Sequence, residues 1–518
     1  MKTNPLVLTF DFGTQSVRVS LIDSQGTHIA LEKAVYDPVY VSVKKGYAEQ
    51  DPDVYYNFAM QALETLCKKN KDKLDNIVGA AITTFRDSSV QLDAKNRPLR
   101  PCILWLDQRM AKAKEKLPFF HQLAFALVGM TNTIELNRRR TAAHWLKENE
   151  PDIWSRTKKY VNISTYLTYK LTGNLVDSPS SLTGHYPINF KKREWYKAGA
   201  LKGGIFGISP RLLPKLVQPG GVLGTIKDDI ADQVGLPHGI KVYSTGSDKA
   251  CETVGLGALD RSVGAISYGT ACTIEVSNQK YHEPEKFLPA YPAAVPGWYN
   301  MDVQIYRGYW MLGWFSKNFA VDLKNEAKVQ RNSMEEILNS RLSDIPPGSD
   351  GLVLQPYWGP GLSRPLSKGA IIGFSDIHTR EHLYRAIIEG IAYALKEGLE
   401  GIEKSQRHKV KKLMISGGGS QNDQICQITA DIFDLPVSRV QTYETTSLGA
   451  AIAAFVAAGV YPTIEEATQN MSHVTTTFEP NEVASQQYKY LYRKVYLKMF
   501  PQLKDVYKDI NTFAKKHI

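Results

Sequence analysis

Residues 7–23, VLTFDFGTQSVRVSLID, read as two strands joined by a tight glycine turn. The first half is apolar and β-prone. In the second, Val17, Val19 and Leu21 alternate with Arg18 and Ser20, the period of a half-buried strand. Gly13 permits a sharp bend and lets backbone N–H groups approach a ligand closely. Thr14, Gln15 and Ser16 add side-chain donors at the same tip. Asp11 leaves the end of a buried strand, where a carboxylate must be paired, hydrated or bound to a metal. Glycine, hydroxyls and one acid suit a phosphate linked to Mg²⁺, although a plain β-hairpin has the same pattern. The signature returns at residues 264–276, where Tyr268, Gly269 and Thr270 match Phe12, Gly13 and Thr14. This short internal repeat predicts two related lobes, 1–255 and 256–518, each offering a hairpin to phosphate.

A chain of 518 residues has room for two or more domains. Its 43% hydrophobic and 22% charged content is that of a soluble globular protein. The net charge of +11 is not gathered into a basic stripe. Its densest runs, at 137–140 and 407–412, are short and read as solvated surface. Nucleic acid is therefore not indicated, whereas an anionic substrate such as ATP suits the balance. Five scattered cysteines without metal or redox spacing predict reduced thiols and a cytoplasmic setting. No secretory segment, membrane-length run or HExxH zinc pattern is present.

Along the chain, Asp51 or Asp53 is placed to cap a helix over 54–67. Ile77–Thr84 reads as a buried strand ending in Arg86 and Asp87, and a second polar break carries Trp105, Asp107 and Arg109. Ligand sites in α/β sheets lie beyond such strand ends, though surface ion pairs produce the same pattern. Residues 110–172 read mainly as helices, with Gly173 as a stop, and 203–239 as irregular connections with short strands. Residues 241–249 form another apolar strand closing on Gly246 and Asp248, followed by a helix over 250–256. The second lobe reads as an aromatic helix over 306–319 with Trp310, Trp314 and Phe315 in the core. A turn-rich segment over 345–369 and a long helix over 381–400 follow. Residues 412–422 read as strand, three glycines, then a helix N-terminus, where backbone can meet a flat or anionic ligand. A small-residue helix spans 447–458, stopped by Gly459, and a charged helical tail from 482 is read as a surface cover.

Together these pieces resemble the FGGY family of carbohydrate kinases, within the actin-like ATPase superfamily. The resemblance rests on the Asp11–Thr14 turn, the Gly246–Asp248 loop, the Tyr268–Thr270 turn, the Gly417–Gly419 turn, and residues 369–390. That last stretch fits the family's C-terminal signature, with Phe374 where an aliphatic residue is usual. The resemblance spans nearly the whole chain in order. It implies an α/β fold of two RNase H-like lobes around a deep cleft, with ATP and Mg²⁺ as cofactors and a small sugar or polyol as partner. It implies neither a nucleic-acid nor a membrane partner, and it is compatible with a homodimer. Carried over by position, Asp248 is the general base and Asp11 the magnesium ligand. Gly13, Thr14, Gln15, Ser16, Gly269 and Thr270 contact phosphates, and Gly417, Gly418 and Asn422 border the adenosine.

On the sugar side the resemblance implies Arg86, Asp87, Trp105, Asp107 and Lys249. Members related to glycerol kinases carry Arg-Glu where this chain has Arg86 and Asp87, and xylulose kinases a Met-His type of pair. The guanidinium can donate to several hydroxyls and the carboxylate can accept from them. A ketopentose such as D-xylulose is the leading expectation. Ribulose, glycerol, gluconate or a linear C5 signal molecule are rivals, a non-catalytic nucleotide-binding scaffold or sensor is a rival of another kind, and a nucleic-acid binder, suggested only by the net charge, is a third. The chain departs from the family in three places. Lys249 stands where Gln or Asn is common, and a cation there is expected to hold Asp248 ionised and weaken it as a base, or else to meet an acidic sugar or a phosphate. Ala142 replaces the Lys expected before Trp145. The run Arg138–Arg140 is placed to face the substrate mouth.

Overall fold

A computed structural model describes residues 4–285, 288–358, 361, 364 and 366–517. The opening apolar run forms β1 (Leu6–Phe12), antiparallel to β2 (Ser16–Asp23), which pairs with β3 (His28–Val35). All of β1 is buried, as befits a strand covered on both faces. Asp51 caps α1 (Pro52–Lys69) by accepting from the Asp53 amide, with Pro52 in the first turn. β4 (Ile77–Thr84) lies parallel to β1. β5 (Val222–Thr225) and β6 (Lys241–Tyr243) complete a mixed sheet of order β5-β6-β4-β1-β2-β3, and α2 (Asp248–Gly255) follows.

The second sheet is built from β7 (Val263–Tyr268), β8 (Cys272–Asn278), β9 (Tyr291–Pro292) and β10 (Tyr299–Ile305). After α3 (Arg380–Gln406) come β11 (Lys412–Ser416), α4 (Asp423–Phe433), β12 (Val437–Val440), α5 (Thr445–Ala457) and β13 (Val474–Phe478). Its order is β9-β10-β8-β7-β11-β12-β13. From β10 inward the pairings run antiparallel, antiparallel, parallel, parallel, antiparallel. From β3 inward the first sheet runs the same way. The three-residue repeat in the sequence thus belongs to a repeat of whole sheets. The molecule is a two-domain α/β protein with mixed sheets, consistent with the actin-like ATPase fold. α2 and α5 pack together between the sheets, with Val7, Ile22, Ala81 and Tyr243 of the first sheet in the same buried cluster.

Several local expectations need correction. A strand, Lys159–Asn162, lies within the stretch expected to be helical, because its partner Ser89–Leu92 is remote in sequence. Asp228–Val234 is a helix within the expected irregular connection, too short to display a period. The aromatic helix begins only at Trp310, which is 37% exposed rather than core, while Phe315 is buried. The turn-rich segment lies partly outside the described residues and includes a strand, Val353–Gln355. The tail is no mere cover: α6 (Glu482–Leu491) and the turn before α7 (Leu497–His517) bury Tyr488, Tyr492 and Tyr496 against Tyr393 of α3. The five cysteines are all buried and free. Among the described residues no helix is long and apolar enough to cross a membrane.

Candidate active site

Strands β6, β4 and β1 are parallel neighbours, so their C-terminal ends open on one edge of the sheet. Asp11 and the Gly13 turn leave β1, Arg86 and Asp87 leave β4, and the Gly246–Asp248 loop leaves β6. Parallel β7 and β11 do the same in the second sheet, ending in Gly269 and Gly417. Strand direction therefore gathers three segments at one edge of the first sheet and two at one edge of the second, and contacts of Arg86 with Asp302 and of Lys249 with Ser267 join the two sets.

Asp248 is the first residue of α2. Ser247 caps that helix by accepting from the Ala250 amide, which leaves the aspartate free of the capping role. One Asp248 oxygen accepts from the Lys249 amide at 2.8 Å, and the other has no hydrogen-bond partner among the described residues. Burial raises its carboxyl above the usual carboxylate range, although Lys249, Arg86 and the Lys249 amide pull it down. This corrects the expectation for Lys249: its charge is present, but desolvation of Asp248 outweighs it. The Lys249 ammonium is turned to Glu252 at 2.5 Å and to Ser267 Oγ of β7 at 2.6 Å, not to an open substrate space. Burial by itself would lower the ammonium, but Glu252 and Asp248 reverse that and hold it charged.

Arg86 Nη1 donates to Asp302 Oδ2 of β10 at 2.6 Å, so the second lobe grips the expected sugar-binding arginine. Asp87, in the left-handed region at φ 53°, accepts from the His185 ring at 2.7 Å. Neither Asp302 nor His185 was legible beforehand, since both lie far from the strand end that they serve. The Trp105 indole donates to the Thr14 hydroxyl at 3.0 Å and ties the expected sugar side to the phosphate turn. Asp107 is a correction. Its oxygens accept from the Ala48 amide at 2.7 Å and from Arg109 Nε and Nη2 at 2.7 Å, and only 3% of its side chain is exposed. Arg109 in turn lies over the rings of Tyr47 and Trp145, a structural cluster that uses up this acid. The Arg138–Arg140 run is corrected in part. Arg138 is buried and bonded to the Glu115 carbonyl, and Arg139 to the Ala111 carbonyl, while Arg140 lies close enough to Tyr306 to act on its hydroxyl.

At the first turn, the Gly13 amide donates to the Ser16 carbonyl at 3.0 Å, and Gln15 is exposed at the tip. Asp11 is the register partner of Arg18, so the two side chains share one face of the sheet. Arg18 also reaches Glu444, just before α5, at 2.6 Å, and its Nη1 would stand 3.7 Å from a Cβ on Gly13. It was missed as a site residue, although its sequence signal is a cation placed one strand across from Asp11. Burial pushes the Asp11 carboxyl up to about 7; Arg18 opposes this, and Glu444, Asp248 and Glu252 add to it. Arg18 is the one cation set against Asp11 among the described residues, and it is shared with Glu444, so the Asp11 carboxylate has room for a further cation. Among the described residues no cluster of three or more metal-ligating side chains forms. Asp11 is thus suited to hold Mg²⁺ only together with water and phosphate oxygens.

The second turn is braced by the Tyr309 amide, which donates to the Gly269 carbonyl at 3.0 Å, and by the Trp310 amide, which donates to that of Thr270 at 3.3 Å. A Cβ on Gly417, at φ 81°, would stand 2.6 Å from the Tyr268 carbonyl oxygen, so this glycine serves backbone shape. A Cβ on Gly418 would meet nothing within 4 Å, so this glycine borders empty space. Asn422 caps α4 through its side-chain oxygen, which leaves its amide nitrogen for a ligand.

Residues 6–255 match the model of the N-terminal domain of the FGGY family of carbohydrate kinases, and residues 264–458 that of its C-terminal domain. A xylulose kinase of Lactococcus lactis subsp. lactis (strain IL1403) is 31% identical over 495 residues, covering 94% of this chain and 95% of that one. Two solved structures share the fold. A ligand-bound xylulose kinase from Lactobacillus acidophilus has a TM-score of 0.81 at 22% identity, covering 98% of this chain and 100% of its own. A gluconate kinase from the same organism has a TM-score of 0.82 at 22% identity with the same coverage.

Proposed function

The chain belongs to the FGGY family of carbohydrate kinases, and on that premise we propose that it transfers the γ-phosphoryl group of ATP to a terminal hydroxyl of a ketopentose, D-xylulose first. We read the repeated strand pattern as a pair of RNase H-like lobes, with 1–255 and 256–518 as the two halves. The observation that carries the reaction is the half-buried Asp248 carboxylate, with one oxygen unclaimed and Arg86 nearby. In the proposed step Asp248 takes the hydroxyl proton and the freed oxygen attacks the γ-phosphorus. The bond to the bridging oxygen then breaks, and ADP leaves. Gly13, Thr14, Gln15, Ser16, Gly269 and Thr270 border the phosphates in this reading, with Arg18 added beneath the first turn. Gly417, Gly418 and Asn422 border the adenosine. Asp11 would hold Mg²⁺, whose charge offsets that of the phosphates.

A neutral sugar is favoured over an aldonate because the two cations named on the sugar side already hold acids: Arg86 holds Asp302 and Lys249 holds Glu252. The relative at 31% identity, named a xylulose kinase, supports the same choice. An ADP-release screen over D-xylulose, ribulose, glycerol, gluconate and pentitols tests it. D-Xylulose should give the highest kcat/KM. Turnover confined to gluconate or glycerol overturns the substrate, and absence of sugar-dependent ADP overturns the transfer.

Arg86→Ala is expected to raise the sugar KM roughly 10- to 100-fold, the worth of a charge-assisted hydrogen bond, with the ATP KM unchanged. Equal losses for both substrates would remove Arg86 from the sugar site.

A further inference from the structure

The second sheet has a polar face that is buried nonetheless. On β8, Thr273, Glu275 and Ser277 alternate with Cys272, Ile274 and Val276; on β10, Asn300 and Asp302 alternate with Tyr299 and Met301. The apolar set joins the core shared with α3. The polar set meets the first lobe. Asn300 Nδ2 donates to Thr253 Oγ1 of α2 at 3.0 Å and to Glu275 Oε2 at 3.1 Å, and Arg86 donates to Asp302.

Glu275 and Asp302 are direct register partners on this face, so their carboxyl groups stand side by side. They are 3% and 5% exposed. Asp302 Oδ2 holds Arg86, whereas its Oδ1 is buried and has no hydrogen-bond partner among the described residues. Two adjacent buried carboxylates do not both ionise readily, and a proton kept by one of them relieves the repulsion. A proton on Glu275 is a donor on the same face as the unpartnered Asp302 Oδ1. Burial first, and Asp302 next, push the Glu275 carboxyl well above its ordinary range, against Arg86 and Lys249.

We propose that Glu275 is a positioning residue for the sugar site: as a neutral acid it donates its proton to Asp302 Oδ1 and thereby fixes the anion that aims Arg86 from the opposite lobe. The proposal rests on the reading of Arg86 as a sugar contact. The charged groups that face Glu275 are Asp302 on β10, Arg86 beyond β4, and Lys249 and Glu252 on α2. Loss of the proton sets a second negative charge beside Asp302 and draws the guanidinium between two acids. The sugar KM then rises with pH while kcat is little changed. The sign for stability follows from linkage. The folded state keeps a proton that the unfolded chain has released, so stability falls as pH climbs from the unfolded to the folded pKa of Glu275, and levels off above it.

Glu275→Gln keeps a donor to Asp302 and cannot titrate; Glu275→Ala removes the donor. Sugar KM and Tm are measured across pH for the full chain and both variants, with infrared spectra in the carboxyl-stretch region. Glu275→Gln should keep the neutral-pH sugar KM, lose its alkaline rise, lose one buried protonated-carboxyl band, and fall less in Tm as pH rises. Glu275→Ala should raise the sugar KM about 10-fold already at neutral pH, with the ATP KM unchanged. Identical Tm courses with no band lost, or a lost band with no change in the pH course of the sugar KM, overturns the proposal. Should Glu275→Gln not fold, Asp302→Asn replaces it and must lower the pH at which the Glu275 band titrates; an unmoved band overturns the proposal. Failure of the Arg86 reading is told apart by Arg86→Ala: an unchanged sugar KM there rejects that reading, while the band and the Tm difference still report the shared proton.

Discussion

Asp248→Asn is expected to lower kcat by about 100- to 10,000-fold while leaving ATP affinity and Tm close to their original values. The asparagine oxygen can still accept from the Lys249 amide, as the carboxylate does at 2.8 Å, so the start of α2 is retained. Ser247, not Asp248, caps that helix, so no cap is lost. What disappears is a group able to take a proton. Burial raises the Asp248 carboxyl, which therefore keeps its proton to a higher pH than a free carboxylate. The ionised form is the active base, so kcat/KM should fall on acidification from a pH above the ordinary carboxylate range. Sugar-dependent ADP release with stopped-time sampling, alongside ATP binding by calorimetry, checks both parts. Turnover retained in Asp248→Asn assigns the base to another residue. An acid limb at the pH of an ordinary aspartate would mean that burial does not dominate here.

What could be read from the sequence was what is local. The two glycine turns were legible because each lies between short strands with their own period, and Gly13 and Gly269 sit where the chain must reverse. Asp248 was legible because a strand, a glycine and an acid follow one another without interruption. Contacts set by sheet register were not. Glu275 and Asp302 are 27 positions apart and look like ordinary strand acids until β8 and β10 pair. Asp107 shows the opposite failure: an acid beyond an apolar run has the same local signature whether it faces a ligand or, as here, an arginine and a backbone amide. Lys249 was correctly identified as a cation beside Asp248. It does pull the Asp248 carboxyl down as expected, but the net direction was misjudged, because sequence shows charge and not desolvation, and desolvation decides the direction at Asp248. The tail tyrosines were misjudged likewise, since Tyr488, Tyr492 and Tyr496 are spaced among lysines and only packing shows that they are core.

Gly449→Ala is expected to destabilise the protein by an amount at or above the upper end of the ~1–3 kcal/mol range for an overpacked core. A Cβ at Gly449 of α5 would stand 1.8 Å from the Cys251 carbonyl oxygen of α2, and one at Gly255 of α2 would stand 1.9 Å from the Thr445 carbonyl oxygen of α5. Both obstacles are backbone, which cannot turn aside as a flexible side chain can, so the two helices must separate. Their separation reaches the site, because α2 begins at Asp248 and α5 follows Glu444, the partner of Arg18. The same substitution should therefore lower the urea midpoint and kcat together. Gly418→Ala is the counterpart, since a Cβ there meets nothing within 4 Å. Its stability should stay within about 0.5 kcal/mol of the original, as for surface changes. Its ATP KM should rise if the adenosine lies against it. An unchanged urea midpoint for Gly449→Ala would show that α2 and α5 are not in backbone contact, and with that the rigid link between the helix pair and Asp248 would be lost.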